Sequence, residues 1–224
     1  MTEVFILKTE AAPSTEEGAH YLPRWRRRRL ERLRYAPARE ASLGAGLLWR
    51  YVMEQHGVHP EEPVRFLQAG KPVFAQREDL HFSLSHSGPY AMCAISDCQI
   101  GADVQQIKPV HMSVARRFHF RERDWLAEQP HEEQNRAFFR IWTRKEAWVK
   151  AVSRDQLLSM DEEDVIHGAD GWQFGEYWLD EEYLATVCAR KGETIHPPAV
   201  LQAQELLDTF RKEEEMETEK KDIM

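Results

Sequence analysis

Cysteine is scarce in this chain. Cys93, Cys98 and Cys188 are odd in number and none forms a CxxC pair, so neither a disulfide framework nor a zinc site is indicated, and a reducing cytosol is the natural compartment. Long apolar runs are missing as well. No window approaches the roughly 18 consecutive apolar residues of a membrane span. The opening MTEVFILKTE has an acid at Glu3 and too short an apolar stretch for a signal peptide. Export and membrane insertion are therefore not expected, and the chain is read as cytoplasmic. An excess of positive charge is also absent: 30 Lys and Arg against 38 Asp and Glu leave a net charge of −8, which argues against a general nucleic-acid binder. What is present, 224 residues of which 42% are hydrophobic and 10% aromatic, suffices for one large domain or two small ones.

The pattern predicts a strand over Val4–Leu7, a loop from Ala11 to His20 and a helix over Arg24–Arg34, a segment with seven arginines and one acid, Glu31. After Pro37 a second helix is expected over Arg39–His56, with Leu43, Leu47, Leu48 and Tyr51 at helical spacing, ended by Gly57–Pro63. Short strands are then predicted at Val64–Leu67, Phe82–Leu84 and Tyr90–Ile95. A turn at Ser96-Asp97 links the last of these to Ile100–Val104. Beyond Lys108-Pro109 the order repeats loosely: helices over Ser113–Arg121 and Glu132–Val152, then strands over Gly171–Leu179 and Tyr183–Ala189. The charged tail from Arg211 to Met224 reads as a solvated helix end or as disorder.

Three constellations carry possible chemistry, and each has a plainer reading. In Phe82-Ser83-Leu84-Ser85-His86-Ser87-Gly88, hydroxyls, an imidazole and a glycine at a strand end suit a phosphate; the plainer reading is a polar strand-to-turn transition. In Ile100-Gly101-Ala102-Asp103-Val104, Asp103 either faces solvent or coordinates something, Gly101 leaves room for a ligand, and Gln105 shares the face of Asp103. In the stretch Phe138–Lys150, Phe138, Trp142, Glu146 and Val149 form one helical stripe. Glu146 there either pairs with Lys150 at i,i+4 or is turned inward by a magnesium ion or a proton-transfer role. Arg26, Arg29 and Arg32 form a ridge suited to a polyanion such as a nucleotide 3′-phosphate, and Lys71 in Gly70-Lys71-Pro72 is a further phosphate contact or simply a solvated turn lysine. RNA would use the same ridge, but no RNP-like motif or GXXG loop accompanies it.

Taken in order, the basic helix, Ser42-Leu43-Gly44, Gly70-Lys71-Pro72, the Phe82–Gly88 motif, Gly101–Val104 and Trp142–Lys150 resemble the 4′-phosphopantetheinyl transferases, in particular the larger, surfactin-synthetase-type branch. The resemblance runs from Arg26 to Ala189. It implies two similar α+β subdomains about a pseudo-two-fold, with coenzyme A between them: an N-terminal subdomain over 1–104, a C-terminal one over 105–205 and a charged tail over 206–224. It implies Mg2+-dependent transfer of phosphopantetheine from coenzyme A to a serine of an apo acyl or peptidyl carrier protein, with release of 3′,5′-ADP. By the same resemblance Asp103, Glu146 and Gln105 bind the metal, and Glu146 also takes the serine proton. Lys150 meets the pyrophosphate and the leaving group, while Arg26, Arg29, Ser42, Lys71, Ser85 and His86 hold the nucleotide end. The internal duplication would let a monomer form a complete site.

Two departures stand out. Many members of that branch carry a glutamate where this chain has Gln105, and a glycine-rich stretch often follows the lysine where Ser153-Arg154-Asp155 stands here. They keep open a second class, a coenzyme A-binding regulatory module of the same fold with weakened turnover. Arg116, Arg117, Phe118 and Phe120 form a candidate patch for an acidic carrier, against the plainer reading of an amphipathic helix.

Overall fold

The computed structural model describes residues 1–10, 14–68, 70–152 and 159–222. Strand β1 (Thr2–Lys8) leads through α1 (Thr15–Ala19) and α2 (Arg24–Glu31) to α3 (Ala36–Gln55). A small hairpin, β2 (Val64–Phe66) and β3 (Pro72–Phe74), precedes β4 (His81–Ser87), β5 (Tyr90–Ser96) and β6 (Gly101–Gln106). A 3-10 helix (Met112–Arg117) and α4 (Phe120–Ala127) then lead through a 3-10 turn (His131–Glu133) to α5 (Gln134–Val152). The chain closes with β7 (Trp172–Trp178), β8 (Tyr183–Arg190), β9 (Ala199–Gln202) and α6 (Ala203–Asp222). This is a mixed α+β fold, as the resemblance implies. Among the described residues no helix is long and apolar enough to cross a membrane.

Helix α3 starts with Pro37 in its first turn, where a missing N–H costs nothing, and lays its apolar side on a sheet of order β4-β5-β1-β9. Leu43, Leu47, Leu48, Val52 and Met53 are buried there with Leu7, Phe82 and Cys93, each large side chain contributing about 1.5–3 kcal/mol of transfer free energy. Helix α5 covers a second sheet of order β6-β8-β7 in the same way. The other faces of the two sheets meet each other: Val4, Ile6, Met92 and Ala94 pack on Ala102, Val104, Ala185 and Val187. Strands β5 and β8 are consequently buried on both faces, which explains their near-continuous apolar sequences.

Several expectations are corrected. Within the predicted loop, Ser14 caps the short α1, accepting from Glu17 N at 3.3 Å; the signal is only five residues long. The helix expected over Ser113–Arg121 is divided, because His119 and Glu122 form a capping box that starts α4 afresh. β5 and β6 do not pair as a hairpin. β1 occupies the free edge of β5 over its whole length, and β6 pairs instead with β8. Of the two readings of the tail the helix end holds, since α6 runs through Asp222 with Leu206, Leu207 and Phe210 anchoring its first half, while β9 pairs with β1 in parallel, returning the chain to the first sheet.

Candidate active site

The site begins at Gly101. A Cβ there would overlap the backbone carbonyl of Ala147 and the amide of Ala151, so the glycine admits helix α5 against β6, not a ligand as its sequence context suggests. Alternation then turns Asp103 toward α5 as well. Its carboxylate, 2% exposed, is no solvated strand-end acid. Oδ1 accepts from Ser85 Oγ at 2.7 Å and from Lys150 Nζ at 2.6 Å, and Oδ2 accepts from Gln105 Nε2 at 3.0 Å. Such charge-assisted bonds offset the desolvation of a buried carboxylate.

The serine-rich motif acquires a structural reason. Ser83, Ser85 and Ser87 point from β4 toward β6, and their hydroxyls accept from the backbone amides of Ala102 at 2.9 Å, Val104 at 3.3 Å and Gln106 at 3.1 Å. Side-chain oxygens thus replace the backbone carbonyls of a partner strand, joining the two sheets along an edge that would otherwise leave buried donors unpaired. The period of two in the serines is the signal for this ladder, which neither the phosphate reading nor the strand-to-turn reading of the motif contains.

Helix α5 supplies Glu146 and Lys150. Phe138 and Trp142 of the predicted stripe belong to the core, stacked at 5.9 Å. Among the described residues no ion pair joins Glu146 to Lys150. The lysine instead reaches Asp103 and also donates to Ala102 O at 2.9 Å. Burial, reinforced by the charge of Asp103, raises the proton affinity of Glu146. The two carboxylates therefore feel one another across the same space.

These groups border a cavity of about 310 Å3 whose wall includes Arg26, Arg29, Lys71, Ser85, His86, Glu146 and Lys150, seven of the candidate site residues. Three candidates stand behind it: Asp103 beneath Ser85, Gln105 against Asp103, and Ser42 behind Arg26. Arg26 is only 4% exposed; it donates to the Ser42 carbonyl and hydroxyl, while its Nε has no partner. Burial, then the charge of Arg29, lowers the Arg26 guanidinium to about 9. Burial lowers His86 to about 4, helped by Arg26, Arg29 and Lys150. A buried cation with a free N–H beside a neutral imidazole is a setting that an anion would stabilise. Arg32 of the predicted ridge is exposed and outside this wall. The aromatic neighbours Trp25 and Phe66 do belong to it and carried no signal in the sequence.

The donor set fits a hard dication: two carboxylates and one amide, all oxygen ligands, with Lys150 now supplying the positive charge. The only cluster of three possible metal ligands among the described residues, Asp97, Cys98 and Glu193, lies elsewhere and holds the N-terminal amine at 2.7 and 2.8 Å. Phe118 of the expected carrier patch is 1% exposed and packs on Phe138, so it belongs to the core; Phe120, 54% exposed, remains on the surface with Arg116 and Arg117. Ser153-Arg154-Asp155 falls outside the described residues.

The sequence model of the family described as 4′-phosphopantetheinyl transferase superfamily matches residues 99–201, which hold Asp103, Glu146 and Lys150. The 4′-phosphopantetheinyl transferase psf-1 of Bacillus pumilus is 30% identical over 192 residues, 79% of this chain and 82% of that one. The 4′-phosphopantetheinyl transferase Sfp of Bacillus subtilis is 28% identical over 185 residues, 76% of this chain and 82% of its own. The 4′-phosphopantetheinyl transferase gsp of Aneurinibacillus migulanus is 27% identical over 180 residues, 76% of this chain and 69% of its own.

Proposed function

We propose that this chain, which belongs to the 4′-phosphopantetheinyl transferase superfamily, moves phosphopantetheine from coenzyme A to a serine of an apo acyl or peptidyl carrier protein with magnesium and releases 3′,5′-ADP. The observation that carries this reading is that Glu146 and Lys150, the latter bonded to Asp103 just behind the wall, line one cavity together with Arg26, Arg29 and His86. The basic residues Arg26, Arg29 and His86 take the nucleotide phosphates, with Ser42 holding Arg26 in place.

The chemistry is a displacement at phosphorus. The serine oxygen of the carrier bonds to the phosphorus that bears pantetheine, and the bond from that phosphorus to the bridging oxygen of 3′,5′-ADP breaks. Glu146, whose proton affinity burial raises, accepts the serine proton. Lys150 Nζ neutralises the charge that builds on the departing diphosphate oxygen, and Ser85 keeps Asp103 oriented. Bound by Asp103 and Glu146, with Gln105 adding an amide oxygen, magnesium would contribute further positive charge to the diphosphate.

The same reading includes two α+β subdomains about a pseudo-two-fold, working as a monomer in the cytoplasm. Its support is that a long helix, α3 or α5, covers one face of a sheet in each half. β6, which spans the 104/105 boundary, pairs with β8 in the second sheet, while β9 pairs with β1 in the first. Incubation with coenzyme A, magnesium and a panel of apo carriers, followed by intact-mass measurement, tests the reading. A phosphopantetheine-sized increase on any carrier is expected. Binding of coenzyme A without any increase would favour the regulatory module.

A further inference from the structure

We infer that Lys71 is a positioning residue, an external cap on the C-terminal turn of α5 that sets Lys150 and Glu146 in place, rather than a contact to the nucleotide. The inference rests on the transfer reaction proposed above. Lys71 sits in the β2–β3 turn, closed by Gly70 N to Leu67 O at 2.8 Å and Leu67 N to Lys71 O at 2.9 Å. From there its ammonium donates to Ile100 O at 2.7 Å and to Lys150 O at 2.6 Å.

Ile100 is the residue before β6, and Lys150 belongs to the last turn of α5, whose carbonyls have no partner within the helix. Lysines commonly cap such carbonyls from their own helix, and the negative end of the helix dipole favours them there. Here the cation comes from an element 79 residues away in the chain. The stitch lies where Gly101 lets α5 touch β6, and it is doubled by Lys150 Nζ, which returns to Ala102 O and Asp103. Two of the three ammonium donors of Lys71 are thereby occupied by backbone oxygens. Loosening this turn would let Lys150 and Glu146 swing relative to Asp103, and small misplacements of reacting groups are costly in rate.

Lys71→Met, Lys71→Gln and Lys71→Arg, made in the full chain, separate the two roles. For Lys71→Met, hydrogen exchange at the amides of residues 149–152 is expected to accelerate about tenfold, the loss of a charged hydrogen bond, and kcat to fall by a similar factor. The Kd for coenzyme A, measured calorimetrically without magnesium, should stay within about threefold, and Lys71→Arg should recover most of kcat. A Kd weakened about tenfold or more, with exchange and kcat at saturating coenzyme A unchanged, would overturn the inference. So would no change in any of the three. If Lys71→Met does not fold, Lys71→Gln is judged by the same criteria. If the wild-type chain transfers nothing, the transfer reading fails, whereas exchange and coenzyme A binding still decide whether Lys71 is a cap or a contact.

Discussion

Lys145 and Lys150 lie on the same helix, and each meets a carboxylate, yet their surroundings differ. Lys145 and Glu122 are both fully buried with Nζ and Oε2 2.8 Å apart. Further bonds fix both ends: Lys145 also donates to Glu163 O, and Glu122 accepts from Val165 N at 2.7 Å and His119 N at 3.0 Å. Burial pushes Glu122 up and Lys145 down, and in each case the partner's charge and hydrogen bond are the largest opposing influence. Lys150 and Asp103 are as close, 2.6 Å, but Lys150 keeps 22% of its side chain exposed on the cavity wall. A sealed pair ties α4, α5 and the segment before β7 together. A pair with one open side retains a charge that an incoming diphosphate can engage. Complete enclosure, not the identity of the residues, separates structure from chemistry here.

Removing one member of the sealed pair should have the largest effect. Lys145→Met leaves a buried carboxylate unpaired and is expected to cost about 3–5 kcal/mol in urea unfolding, while turnover per folded molecule stays near wild type. A loss of turnover without a loss of stability would reverse the roles assigned to the two pairs. Asp103→Asn should do the opposite: turnover falls about 10²–10³-fold, and the urea midpoint moves less than in Lys145→Met, because an amide still accepts from Ser85 and Lys150. Turnover within a few-fold of wild type would remove Asp103 from the site.

Two smaller effects sharpen the contrast on the open side. His86 has its folded pKa lowered to about 4 from 6.5, so between those values the unfolded chain binds the proton that the folded chain refuses. Its contribution to stability is present above pH 6.5, declines as pH falls and levels off near 4. Urea midpoints of His86→Gln at pH 7 and 5 should therefore differ less than those of wild type, and equal differences would mean that the imidazole is not desolvated. Smallest of all, Gln105→Glu replaces a donor to Asp103 by a third carboxylate and should tighten magnesium binding several-fold by calorimetry. No gain would take position 105 out of the ligand set.

Local signals carried much of this. The helical stripes of α3 and α5 were legible because their apolar positions recur at the spacing of one face, and β5 and β8 because both of their faces are buried. Asp103 and Glu146 stand out as carboxylates at odds with apolar neighbours, His86 through the hydroxyl-rich motif around it, and Lys150 as the i,i+4 neighbour of Glu146 and through the resemblance. The short α1, the break before α4 and the strand β9 were not, since each consists of a few residues stabilised by distant partners.

Chain order and residue periodicity settled which elements form and which side chains carry charge among apolar neighbours, because backbone geometry and solvent exclusion act over a few residues. Only the assembled structure decided that Gly101 receives a helix, that serines stand in for a strand edge, that β6 leaves β5 for β8, and that Lys145 is sealed while Lys150 is open. Those outcomes depend on what lies opposite in space, and burial of a polar group is favourable only when its partner, however remote in the chain, is brought to it.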